Sequence, residues 1–245
     1  MKKPRFIYLI QGDLSYPVYN IPQGSDFLYL QWKKDFSPRE NHLHFPGSSW
    51  AQGRNHLYQL VKDKGYDYYV FMDDDLFFGD PREGWKYLRP LLGNLKRGQW
   101  GKAFWSLRNY KKRWDLNDFE KAMSEALPMI GSCHYYAHLW NRDLTFHPTD
   151  NVAYNDQNLI AIHQSVAPQV LPYETRYDSL SWWACGELLF DRARFICAQD
   201  ICRFNFLPLA TLRKSNESSD YPRDVTKARL PLNQVFRYSK EVPRG

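Results

Sequence analysis

Short unbroken apolar runs along this chain alternate with stretches whose apolar residues recur every three or four positions. Phe6-Ile7-Tyr8-Leu9-Ile10 predicts a strand buried on both faces, ending at the turn Gln11-Gly12-Asp13. Phe27-Leu28-Tyr29-Leu30 predicts a second, ending near Trp32. A helix should follow. Ser48 or Ser49 can cap it, Leu57, Leu60 and Val61 share one face, and Gly65 can close it in a left-handed conformation. Tyr68-Tyr69-Val70-Phe71-Met72 predicts a third strand, the most central, and Ala103-Phe104-Trp105-Ser106-Leu107 a fourth. From Cys133 to Phe146 the aromatic-rich sequence suggests one or two strands beside a cleft. A second helix is expected from Asn155-Asp156, with Leu159, Ile162 and Val166 as its buried stripe and Pro168 as its end. The segment Ser181 to Ala198 should be helical in part, with Trp182, Trp183, Leu188, Leu189 and Phe190 buried or lining the cleft. Beyond Leu212, Arg213 to Asp220 reads as a mobile polar loop and Tyr238 to Gly245 as a basic tail. The alternation points to an α/β class with a mostly parallel sheet flanked by helices, in one domain with a C-terminal arm.

Composition narrows the partners. At 245 residues, with 43% apolar and 24% charged side chains, the chain can build a sizeable core. No stretch approaches the roughly 18–20 consecutive apolar residues of a membrane helix, and Phe6 to Ile10 is too short for a signal-peptide core. A cytoplasmic protein without a transmembrane segment is therefore the expectation. Cys133, Cys185, Cys197 and Cys202 form no C-x-x-C pair, so neither a zinc ribbon nor a disulfide framework is indicated. A net charge of +6 together with 17% aromatic residues suits nucleic acid or a sugar attached to phosphate. The excess charge is spread along the chain, which disfavours nucleic acid.

The most informative feature is Asp73-Asp74-Asp75, directly after an apolar strand. Adjacent carboxylates repel one another unless something positive sits among them. In open α/β sheets, ligands bind beyond the carboxyl ends of the strands, where a hard divalent cation can join one or two carboxylates to phosphate oxygens. With Gly53-Arg54-Asn55 on the preceding helix and the segment Tyr66 to Asp75, residues 1–110 resemble the GT-A class of nucleotide-sugar-dependent glycosyltransferases. The resemblance implies a Rossmann-like sheet, a nucleoside-diphosphate sugar donor (a UDP-sugar favoured), and Mn²⁺ or Mg²⁺ bridging the diphosphate to the acidic motif. Asp75 then looks like the main metal ligand. Asp73 looks like a metal ligand or a contact to ribose or donor sugar, and Asp74 touches either. Arg54 is placed to reach the diphosphate or the sugar, and Asp13 to contact the nucleotide. The bland readings are a surface arginine and a turn residue.

The resemblance makes residues 1–110 the donor half, 111–212 the acceptor half, and 213–245 a flexible loop and arm. An inverting enzyme also needs a base near the acceptor hydroxyl. Asp156 at the expected helix start is the candidate, although an acid in a first helical turn also suits the helix dipole. Glu187 and Asp178 are its rivals. Trp182, Trp183 and Asp178 are candidates for binding an oligosaccharide, polysaccharide or glycolipid acceptor. Many relatives in the class use a late histidine as a metal ligand, yet none occurs after His163, which leaves His163 or His147, or the carboxylates alone. Arg213 to Arg223 can serve as a lid. Two other classes stay open: metal-dependent phosphoryl transfer, for which Phe77 stands where a Thr or Val would be needed, and a non-catalytic carbohydrate-binding protein.

Overall fold

The computed structural model describes residues 3–12, 20–32, 40–79, 114–136, 157–179 and 181–211. They form eight strands, β1 (Phe6–Gly12), β2 (Asp26–Gln31), β3 (His42–His44), β4 (Tyr68–Asp73), β5 (Leu76–Phe78), β6 (Ile130–Tyr136), β7 (Leu159–His163) and β8 (Ile201–Thr211). The helices are α1 (Trp50–Val61), α2 (Leu116–Ala126), the single turn α3 (Ala167–Val170) and α4 (Trp182–Cys197). All eight strands join one sheet in the order β3-β2-β1-β4-β7-β6-β8-β5. Four of its seven pairings are parallel, and β7 runs against both of its neighbours.

The unbroken apolar strands follow from helices on both faces, which leave a central strand no solvent side. Ile7, Leu9, Tyr69 and Phe71 point toward α1, α3 and α4, where they pack with Leu57, Val61, Val170, Leu189 and Ala193. Phe6, Tyr8, Ile10, Tyr68, Val70 and Met72 point the other way, onto Leu116, Phe119 and Met123 of α2. Helix α1 begins where the sequence placed it. Ser49 is its N-cap in a reciprocal capping box with Gln52, and Gly65 beyond its end has a φ of +72°.

The expected helix over 155–167 is corrected by β7. Leu159, Ile160, Ala161 and Ile162 pair antiparallel with β4 and alternate between the two cores. An all-apolar run matches a helical stripe as easily as a strand; its β-branched isoleucines and the vacant place beside β4 decide for the strand. Pro168 accordingly opens the turn α3 instead of closing a helix, a position where its missing N–H costs nothing. The expected strand at 103–107 and the loop and arm after 212 lie outside the described residues, as does most of the 133–146 segment beyond β6. Among the described residues no helix is long and apolar enough to cross a membrane.

The path of the chain creates one special place. From β1 it moves outward through β2 and β3, then returns by α1 to β4 on the other side of β1. Connections leaving in opposite directions open a crevice beyond the carboxyl ends of β1 and β4, the usual ligand position in such sheets. Gly12 and Asp73-Asp74-Asp75 stand there.

Candidate functional site

The triplet is organised by the first turns of α1. Trp50 Nε1 donates to Asp73 Oδ1 at 3.1 Å, and Arg54 Nη2 donates to the same oxygen at 2.8 Å. Trp50 and Arg54 are four residues apart on the helix, and the guanidinium lies 3.7 Å from the indole ring centre. Arg54 Nη1 donates to the Tyr173 hydroxyl at 3.2 Å. The arginine has no solvent exposure at all. Arg54, expected as a contact to the diphosphate or sugar, is thus fully buried and engaged with Asp73 and Tyr173.

Its neighbours complete the joint. Asn55 and Tyr173 exchange two hydrogen bonds, of 2.8 and 2.7 Å, which fasten the segment after α3 to α1. Gly53 lets α1 approach β1, since a Cβ there would fall 2.4 Å from the Gln11 amide nitrogen. The Gly53-Arg54-Asn55 motif is thus one structural unit that docks α1 on β1, β4 and Tyr173.

The three aspartates differ. Burial pushes the Asp73 carboxyl above its ordinary value, while Arg54 and Trp50 pull the other way. Asp74, expected at the cofactor, turns inward. It is buried, accepts from the Tyr29 hydroxyl at 3.0 Å, and fills the space over Gly12, where a Cβ would lie 1.7 Å from its Cγ. Its backbone N–H donates to Gln11 O at 3.1 Å, clamping the β4–β5 turn to β1. Asp75 is half-buried in that turn.

Among the described residues no group of three or more His, Cys, Asp or Glu is arranged to hold a metal alone. A hard carboxylate set at a strand end, with Asp73 Oδ1 already engaged, fits a cation whose remaining positions are filled by phosphate oxygens and water. His163 is removed from that set. It pairs with Tyr68 at the opposite end of β4, roughly 17 Å along the strand from Asp73 at about 3.4 Å per residue. There its ring meets the Tyr68 ring edge-on and its Nδ1 lies 2.7 Å from Ser165 Oγ, so it is a structural histidine.

The start of α4 is tied to the end of β2, to Gln157 and, through the turn before it, to the cap of α1. Trp182 is half-buried and packs edge-on to Trp32 at the end of β2, with centroids 6.2 Å apart. Glu187 is half-buried one turn further on. Gly186 offers its carbonyl to the Gln157 amide. Asp178 lies in the turn before α4 and accepts the hydroxyl of Ser49, the residue capping α1. Burial pushes its carboxyl above the ordinary range, against the Ser49 hydrogen bond. The side chain of Trp183 and residues Asp13, His147 and Asp156 lie outside the described residues.

Sequence reasoning missed Trp50 and Tyr173. Trp50 had a signal, because it follows the cap and stands four residues before Arg54. Tyr173 had none: it is 119 residues from Arg54.

No known sequence family matches the chain, and no curated protein does. Solved structures with a similar outline include a protein assigned as a nucleotide-diphospho-sugar transferase from Desulfovibrio desulfuricans G20. It is 11% identical, with a TM-score of 0.44, over 99% of this chain and 100% of that one. Two others are glucosyl-3-phosphoglycerate synthase from Mycobacterium tuberculosis, one with Mg²⁺ and UDP and one with Mn²⁺, UDP-glucose and phosphoglyceric acid. Each is 12% identical and covers 98% of this chain and 82% of its own, with TM-scores of 0.43 and 0.42. These are likenesses of outline, and the chemistry has to be argued from the side chains of the crevice.

Proposed function

We propose that the chain is a metal-dependent glycosyltransferase that moves a sugar from a nucleoside-diphosphate sugar, a UDP-sugar by preference, to a hydroxyl of a glycan or glycolipid. The observation that carries this reading is the placement of three consecutive carboxylates at the topological switch point. One of them is braced by a fully buried guanidinium and an indole. Holding carboxylates together there costs free energy, which Arg54 offsets at Asp73 and a bound cation, shared with phosphate oxygens, would offset further.

In this reading Asp75, with Asp73, would hold Mn²⁺ or Mg²⁺, which when bound neutralises the charge that develops on the departing diphosphate. Arg54 and Trp50 favour the ionised Asp73 carboxylate against its burial and hold it in one orientation. Asp74 holds the β4–β5 turn against β1, so the strand end does not relax when ligand leaves. Trp182 offers a flat face to a sugar ring, with Trp183 as the second candidate from the sequence. An acidic side chain of the acceptor half, for which the sequence offers Asp156 with Glu187 and Asp178 as rivals, removes the hydroxyl proton so that displacement inverts the anomeric carbon.

The test is thermal stabilisation by a panel of nucleotide sugars with and without Mn²⁺. A donor at 100 times its dissociation constant should add about 2.7 kcal/mol to the folded state. The expected result is a manganese-dependent shift with one nucleotide, abolished in Asp75→Ala. Absence of any shift across the panel would overturn the assignment.

A further inference from the structure

The two ends of one capping turn hold two different carboxylates. Trp50 donates to Asp73, and its neighbour Ser49 donates to Asp178. The Ser49 hydroxyl cannot turn elsewhere. Its oxygen accepts from Gln52 N at 3.1 Å, which leaves the hydroxyl proton directed at Asp178 Oδ2. The carboxylate of Asp178 is therefore oriented by the residue that directly precedes the one bracing Asp73.

Its other oxygen is a different matter. Asp178 Oδ1 is shielded from solvent and has no hydrogen-bond partner. Three residues on, in the same turn, Ser181 is buried and its Oγ is unpartnered as well. The turn is held by Asp178 N donating to Thr175 O and Ser181 N donating to Tyr177 O, both from the backbone. Two buried polar atoms left open only three residues apart are costly unless a ligand satisfies them. An acceptor beside a hydroxyl group is the complement of an alcohol, which has one proton to give and lone pairs to receive. Trp182, packed on Trp32, follows immediately and supplies an apolar wall of the kind a sugar ring covers.

We propose that Asp178 and Ser181 form the acceptor-hydroxyl subsite, with Asp178 Oδ1 taking the proton of the attacking hydroxyl and Ser181 Oγ donating to its oxygen. This deepens the glycosyltransferase reading and rests on it. In the step, the O–H bond breaks toward Asp178 and the hydroxyl oxygen bonds to the anomeric carbon. The bond from that carbon to the diphosphate oxygen breaks, and its electron pair leaves with the nucleotide. The protonated Asp178 returns its proton to solvent.

The surrounding groups set how readily Asp178 takes a proton. Burial raises its affinity first of all, the Ser49 hydroxyl on α1 opposes that, and the charge of Glu174 on its own segment adds to it. Cys185 on α4 feels both Asp178 and Arg54, and Arg54 carries Asp73 on its far side. A raised carboxyl suits a base working near neutral pH. Removing the Ser49 hydroxyl takes away a bond to the ionised form, so the acidic limb of the pH–rate profile should move upward. Removing the Glu174 charge should move it downward.

The experiment uses the full chain and the nucleotide sugar that stabilises it, measuring nucleotide release to water and to methyl glycosides across pH. Asp178→Asn should lower kcat by roughly 10²–10⁴-fold, with donor stabilisation and donor KM retained. Ser49→Ala and Glu174→Gln should shift the acidic limb in opposite directions, which a merely structural role would not produce. Wild-type release by Asp178→Asn, or limbs that stay in place, overturns the inference. So does a wild type that binds donor but releases no nucleotide even to water. A wild type that binds no donor fails the glycosyltransferase reading itself, an outcome separable from these.

Discussion

Two carboxylates on opposite faces of the sheet, Glu120 fully buried and Asp178 half-buried, show what separates glue from chemistry. Glu120 lies on α2, fully buried, and accepts from the Tyr8 hydroxyl at 3.2 Å and from Ser25 Oγ at 2.5 Å on Oε1. Its Oε2 lacks an aligned hydrogen bond but has the Lys3 ammonium at 3.0 Å. Both oxygens thus have partners from the protein, and the result is a pin joining α2 to β1 and the start of β2. Asp178 has one oxygen held by Ser49 and the other, itself shielded from solvent, left open. Burial of a carboxylate by itself says nothing about function. What matters is whether the protein meets all of its hydrogen-bonding capacity.

The comparison can be tested by removing the partners in turn. The largest effect should come from Arg54→Ala, which strips the counter-charge from Asp73 and the cover from Trp50. Breaking one side of a buried ion pair costs about 3–5 kcal/mol, and nucleotide-dependent stabilisation should vanish with it. Chemical denaturation with and without donor measures both. Glu120→Ala should cost about 2–3 kcal/mol, because the hydroxyls of Tyr8 and Ser25 lose their buried acceptor. Donor binding well below the melting temperature should be unchanged, and a lost binding signal in that variant would break the distinction between pin and site. The smallest of the three is Gly12→Ala, expected at about 1–2 kcal/mol of overpacking strain. Its Cβ would collide with the Asp74 carboxyl. Here the discriminating quantity is donor affinity, which should fall because the displaced carboxylate carries the β4–β5 turn, and Asp75, with it.

Much of the parallel half of the sheet was legible in the sequence, for local reasons. An unbroken apolar run between turn residues specifies a buried strand, and Ser49 with Gln52 specifies a helix start by a contact only three residues long. The acidic triplet was placed correctly at a strand end for the same reason. Legibility failed where the pattern was ambiguous or the contact distant. Leu159 to Ile162 is apolar at every position, so no period could be read from it, and the neighbouring strand β4 decided its form. Arg54 reads as a surface or ligand-binding arginine on an amphipathic helix. It became a buried brace because Tyr173 and Asp73 arrive from other parts of the chain.

By itself the sequence determined the strands of the parallel half, the helix between them, the α/β class and the position of the acids after β4. Each depends on interactions within a few residues or on the periodicity of burial. Only the tertiary structure decided which acid does what. It turned Asp74 into the turn, set Asp73 on a guanidinium, and joined Asp178 to a cap 129 residues away. The role of a carboxylate depends on the field and the donors around it, and those are assembled by the fold from segments that share no local pattern.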